Sequence, residues 1–162
     1  MEFAIVLPVM LLMTLGLIDL GRAFVFGVAV QEGTRQAARL ASNAADDVSN
    51  GQPNVTDQAV LGRLIASSNP ALTGCTPAAA PPQTCNGFTL SMQVAVNGVT
   101  YPSLALARAD THWATARSST GGVQVTLTAA GPVALLPGVS TGIFGLTLPQ
   151  INVQGQSAMV LL

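Results

Sequence analysis

Lysine is missing from this chain, and all six basic residues are arginine. Charge of either sign is scarce, at 8% of residues against roughly 25% in an ordinary globular domain. There is no basic run and the net charge is −1. The clustered Lys and Arg that nucleic-acid binding requires are therefore lacking, and nucleic acid is excluded as a partner. Aromatic residues make up only 4%. The potential soft metal ligands are few: Cys75, Cys85 and the lone His112. A metal site takes about four ligands at close spacing, so neither a metal nor a cofactor is expected. A phosphate-binding glycine loop is also missing, which excludes a nucleotide-driven motor.

Against this sparse background one segment stands out, EFAIVLPVMLLMTLGLIDLGR at residues 2 to 22. An acidic residue, Glu2, comes first. Residues 3 to 18 follow without a charge, and Asp19 and Arg22 close the stretch. A signal peptide has the opposite order, starting positive and ending at a small-residue cleavage site, so this segment is expected to stay. It reads as a helix near the short end of transmembrane length. Pro8 would break a helix in water but is tolerated in a membrane. Asp19 and Arg22, spaced i and i+3, can pair on one face.

Beyond Leu20 the apolar pattern becomes one-sided. Leu20, Phe24, Val28, Thr34, Ala38, Ala41 and Ala45 recur mostly at three or four residues, with Gln31, Glu32, Arg35, Gln36 and Arg39 elsewhere. This predicts a continuous helix from Glu2 to about Ala45, closed by Asn50-Gly51-Gln52-Pro53. Such a rod is far longer than a small domain needs for its own core. A second helix is predicted after the N-cap Thr56, with Asp57 in its first turn and Val60, Leu61, Leu64 and Ile65 on one face. Asn69-Pro70 stops it.

Cys75 and Cys85 enclose TPAAAPPQT and are expected to form a disulfide in an exported domain. From Phe88 the period is two: Phe88, Leu90, Met92, Val94 and Val96 alternate with smaller or polar residues, a half-buried strand. Asn97-Gly98 signals a hairpin. Residues 103–117 read as either a short helix or a loop with strand. Val123, Val125 and Leu127 mark another strand. Residues 131–145 read as a buried irregular connection. A last strand lies in 150–161, with a bulge expected at Gln154-Gly155-Gln156. The fold class is therefore α+β: a long helix, hydrophobic then amphipathic, packed on a small antiparallel sheet. The length suits one domain plus an anchor, divided as 1–22 for the apolar helix and 23–162 for its continuation and the globular part.

Several residues carry this chain's resemblance to the TadE-like family of pilus-assembly proteins. They are Glu2-Phe3-Ala4, Leu7-Pro8, the Leu/Met run to Ile18, and Asp19-Leu20-Gly21-Arg22. Gly33-Thr34-Arg35-Gln36-Ala37-Ala38-Arg39 is similar to the family's Ala/Arg-rich continuation. More loosely, Val123 to Leu127 and Pro132 to Pro137 are similar to its C-terminal strand and Pro/Leu segment. One departure is that Met1 directly precedes Glu2, where family precursors carry a leader ending in a small residue. The resemblance implies a pilin-like fold and a structural subunit. The subunit would be inserted in the inner membrane by its first helix, extracted by an assembly machine and built into an extracellular filament. Its partners would be copies of itself in a helical filament, other pilins, the assembly machinery and, beforehand, membrane lipid. Glu2, Asp19, Arg22, Phe3, Leu7, Leu11 and Leu15 would then carry subunit assembly. Glu2 would pair with either a neighbour's N-terminal amine or a neighbour's Arg22. The missing lysine disfavours a filament joined by isopeptide bonds.

A plainer reading also exists, a single-pass anchor holding an extracytoplasmic binding domain that does not polymerise. Enzyme chemistry has little to stand on. Asp110 and His112 lie close in sequence but without a nucleophile elbow, and a surface or structural histidine is the favoured reading. Asp46 to Gly51 with Asp57 faintly resembles a calcium loop, yet Val48 occupies a ligand position and a capping turn is favoured. Asn54-Val55-Thr56 is a glycosylation sequon. Trp113 is expected in the core.

Overall fold

The computed structural model describes residues 3–43, 55–116, 122–134 and 150–161. Helix α1 (Phe3–Ser42) runs without interruption for 40 residues, about 60 Å at ~1.5 Å per residue. Its Leu, Met and Ala content favours helix throughout, and Pro8 is accommodated inside it. The predicted stop at Asn50-Gly51, the calcium-like stretch from Asp46 and the sequon at Asn54 lie outside the described residues.

Helix α2 (Asp57–Ser67) begins where expected. The Thr56 hydroxyl accepts from the Ala59 N–H at 3.2 Å, and Val60, Leu61, Leu64 and Ile65 are buried. Among the described residues, β1 (Gln83–Cys85), β2 (Phe88–Val96), β3 (Val99–Tyr101), β4 (Val123–Ala134) and β5 (Gln150–Leu161) form one antiparallel sheet. β2 has β4 along one side, and β1 and β3 at opposite ends of the other. β5 lies beyond β4. Two two-residue turns join β1 to β2 and β2 to β3, at Asn86-Gly87 and Asn97-Gly98. All four turn residues have positive φ, the conformation that makes Asn-Gly a tight hairpin. The period-two pattern of β2 is realised, with alternate residues from Phe88 to Val96 buried. Its neighbour continues that face, Met92 opposite Leu127 and Val94 opposite Val125.

Residues 103–116, ambiguous in sequence, form two short helices, α3 (Leu104–Arg108) and α4 (Trp113–Ala116). Ser103 caps α3 through Leu106 N–H, and the Asp57 carboxylate accepts from Leu104 N–H at 2.7 Å and Ala105 N–H at 3.3 Å. Asp57 therefore serves two helix starts, its own and one 47 residues away. Each charge-assisted bond of this kind contributes about 1.5–3 kcal/mol. Trp113 is buried, as expected.

Two expectations are corrected. No bulge interrupts β5: Gln154, Gly155 and Gln156 pair in unbroken register with Ala130, Ala129 and Thr128. Gly155 is there for a different reason, since a Cβ would stand 2.9 Å from the backbone carbonyl of Val30 on α1. Residues 131–134 belong to β4 rather than to an irregular connection. Pro132 lies past the last β2–β4 pair, where β4 has β5 alone as its neighbour, a position in which a sheet tolerates proline. The remainder of that connection lies outside the described residues.

The sheet packs on the C-terminal half of α1. Ala23, Val30, Thr34, Ala37, Ala38 and Ala41 are buried there. Burying a side chain such as Val30 contributes about 1.5–3 kcal/mol. Small residues set the approach of α2: a Cβ on Gly33 would overlap Ser68 Oγ and stand 3.0 Å from the Leu64 carbonyl oxygen. The fold is α+β and pilin-like, one long helix laid on a five-stranded antiparallel sheet.

Candidate assembly surface

The N-terminal half of α1 touches nothing else among the described residues that would hide it. Phe3, Leu7, Leu11 and Leu15 are all exposed, as are Met10, Leu12, Met13, Leu17 and Ile18 on the other sides. Its most apolar 18-residue window has a mean hydropathy of 1.9 and only 6% of it is buried. By length and composition this helix can cross a membrane. The core helix of a soluble domain passes the same test of composition, but such a helix is mostly buried. Thr14 keeps its hydroxyl satisfied within the helix, donating to the Leu11 carbonyl at 3.0 Å.

The charges that close the stretch do not pair with each other. Asp19 and Arg22 form no ion pair; instead the Arg22 guanidinium lies over the Phe26 ring, 5.2 Å from its centroid. The two options are close in energy. An exposed i,i+3 ion pair is worth about 0.3–0.5 kcal/mol, and a cation–π contact about 0.5–1 kcal/mol. Asp19 is half-buried and has no partner among the described residues. Glu2 lies outside the described residues.

The predicted packing face is realised at Thr34, Ala38 and Ala41 but not in its first turns. Leu20, Phe24 and Val28, placed on that face by their spacing, point outward, Phe24 with 72% of its surface exposed. The inward line is Ala23, Val30, Thr34, Ala37 and Ala41. Close packing against a sheet and a second helix selects the small side chains and leaves the large ones outside. The result is an apolar ridge of Phe24, Val25 and Val28 that ends at Glu32. Shallow grooves flank it, one toward Gln31 and Gln154, the other toward Ser67, Asn69 and Pro70. A third groove, between α1 and α2, is lined by Glu32, Arg39 and Arg63.

The helix is fastened to the sheet at a strand edge. Among the described residues β5 has only one neighbouring strand, so its outer N–H and C=O groups need partners. The Gln31 amide supplies both, donating to the Gln156 carbonyl at 3.1 Å and accepting from the Gln156 N–H at 3.4 Å. Gln36 extends the polar contact to α2, accepting from the Ser67 hydroxyl at 3.2 Å and donating to Glu32 at 3.1 Å.

Cys75 and Cys85 are joined as a disulfide, with Cα atoms 6.0 Å apart. The loop they close is held from inside by Gln83, which accepts from Ala78 N–H at 2.8 Å, and from outside by Asn86, which donates to the Thr73 carbonyl at 3.0 Å. Asp110 and His112 form a surface cluster with Tyr101. Asp110 accepts from the His112 backbone N–H at 2.8 Å and from the Tyr101 hydroxyl, and the His112 ring nitrogen lies 3.0 Å away. These bonds, the backbone one foremost, lower the Asp110 carboxyl to about 2. The Tyr101 hydroxyl is raised, chiefly by its bond to that carboxylate. The arrangement fastens a turn. Among the described residues no group of three or more His, Cys, Asp or Glu is placed to hold a metal.

A head packed on one end of a long helix, with the other end bare and apolar, is a pilin-like arrangement. The family model for TadE-like protein matches residues 1–39, about a quarter of the chain, and over that span the chain is similar to the family. The match covers Leu7-Pro8, Asp19 to Arg22 and Gly33 to Arg39, does not reach the looser likeness at 123–127 and 132–137, and suggests a part in Tad pilus assembly. No curated protein and no solved structure matches the chain.

Proposed function

We propose that this chain is a structural, non-catalytic pilin-like subunit. It sits in the inner membrane by residues 1–22 with its head, residues 23–162, on the extracytoplasmic side, and is then built into an extracellular filament of the Tad kind. The observation that carries this reading is the bare apolar half of α1 joined without a break to a half that is already packed. In lipid the bare half faces acyl chains; in a filament it faces the same half of neighbouring copies. One segment thus suits both states.

The alternative is an anchored domain that stays single. The ridge of Phe24, Val25 and Val28 favours the filament, because it extends apolar surface along the head, above the end of the uncharged stretch. Within the filament, Glu2 pairs with a neighbour's N-terminal amine or with a neighbour's Arg22, and Phe3, Leu7, Leu11 and Leu15 supply contact area. Removing one partner of a buried ion pair costs about 3–5 kcal/mol, and the cost recurs at every subunit. The test compares filament yield with membrane-fraction protein for Glu2→Ala and Arg22→Ala. Glu2→Ala is expected to abolish filaments while the inserted protein persists. Arg22→Ala does the same only if Arg22 is the partner. Normal filaments from Glu2→Ala would refute the role of Glu2.

A further inference from the structure

Resting on the filament reading above, we propose an axial register for it: the next copy of this chain is displaced by twenty residues of α1, and Asp19 of one copy seats against Arg39 of the other. Asp19 and Arg39 are twenty residues apart, about 30 Å along the helix and ~200° around it. They therefore stand on nearly opposite faces. That is what a head-to-tail contact between parallel copies requires, because each copy offers one face and receives the other.

The faces themselves are complementary. Asp19 lies on the line of Val30 and Ala37, eleven and eighteen residues on, or about three and five turns. This is the line that carries the sheet, but Asp19 precedes the sheet's footprint, which begins at Ala23. Asp19 is half-buried there, just short of the packed face. Arg39 lies on the opposite line with Val28, eleven residues before it. That line is apolar and exposed at Phe24, Val25 and Val28, where a solvent-facing helix would be polar. A displacement of twenty residues brings this ridge level with residues 4–8 of the neighbour, and Arg39 level with Asp19.

Charge selects the same displacement. Among the described residues Asp19 is half-buried without a partner, and Arg39 is exposed without one. Arg63 lines the same groove as Arg39, so two guanidinium groups flank the position an incoming carboxylate would take. The acidic member of that groove, Glu32, is engaged by the Gln36 amide. Glu2 and Arg22 are also twenty residues apart, so one displacement aligns two acid–base pairs. The competing displacement of sixteen residues, which would set Asp19 against Arg35, aligns only one.

Two experiments on the full chain in cells that assemble it decide the register. In the first, Asp19→Cys is combined with Arg39→Cys or, as the competitor, with Arg35→Cys. The native cysteines are already bridged. Sheared filaments with the Arg39→Cys partner should give a ladder of covalent multimers on a non-reducing gel, lost on reduction, and the Arg35→Cys partner should give none. In the second, Asp19→Arg and Arg39→Asp should each lower filament yield by about tenfold or more, and the double variant should restore it. If the cysteine pairs prevent filaments, this swap alone decides. Filaments without a ladder, a ladder through position 35, or no rescue by the double variant overturns the register while leaving polymerisation intact. A wild-type chain that forms no filaments overturns both.

Discussion

The two halves of α1 are equally helical, yet one is bare and the other packed. Side-chain size separates them better than hydrophobicity does. The bare half carries Leu7, Met10, Leu11, Leu12 and Met13, all large and all exposed. The packed half turns Gly33, Ala37, Ala38 and Ala41 inward. Small residues mark a contact already made within the chain, because a backbone that approaches a second element leaves no room for more. Large exposed ones offer area to a contact still to be made.

The strongest way to break this comparison is to remove one half. A chain shortened to begin at Arg22 is expected to leave the membrane fraction and to be a folded, soluble monomer, as read by cell fractionation, sizing and circular dichroism. If it is insoluble while the full chain is a soluble monomer, the roles of the halves are reversed. A smaller effect comes from placing the same substitution in both halves. Gly33→Leu forces a side chain into Ser68 and the Leu64 carbonyl and should cost about 3 kcal/mol, lowering Tm by about 10 °C. Gly16 has nothing within 4 Å, so Gly16→Leu should leave thermal unfolding of the head, followed in detergent, unchanged.

The smallest effect concerns the head alone. The Asp110 carboxyl is lowered from 3.8 to about 2, so its contribution to stability is full above about pH 4 and is lost as pH falls toward 2. Tyr101→Phe removes one of the bonds responsible and should move the Asp110 titration back toward the ordinary carboxylate value. The side-chain NMR titration of Asp110 reads this directly. An unchanged midpoint would mean that the Tyr101 hydroxyl has no part in it.

Much of this fold is legible in the sequence because local rules govern it. The period of two from Phe88 to Val96, the Thr56 cap and the Asn97-Gly98 turn need no knowledge of distant residues. Asn86-Gly87, directly before Phe88, carries the same turn signal, which the period-two reading from Phe88 leaves out. The misreadings lie where distant elements decide. Leu20, Phe24 and Val28 have helical spacing and apolar character, but α2 and β5 approach too closely to receive them. Gly155 looks like a bulge until Val30 is placed against it. Asp57 has one legible role in its own helix, and its second, across to α3, depends on a contact no local pattern encodes. In the candidate surface, the apolar stretch and its bounding charges can be read directly. The separation of Asp19 from Arg22 turns on a local rival, Phe26, which stands four residues past Arg22 on the same helix and takes the guanidinium instead.

The unbroken course of α1 makes the bare half a lever whose fulcrum is the packed half. Ala23 and Phe3 are twenty residues apart, so a tilt of about 10° at the sheet's footprint swings the N-terminal end by about 5 Å, half the usual spacing between packed helices. Where the free end points is thus set by contacts far from it: Gly33 against Ser68, Val30 against Gly155, and the Gln31 amide on the rim of β5. A substitution at any of these can misdirect the stem without touching it.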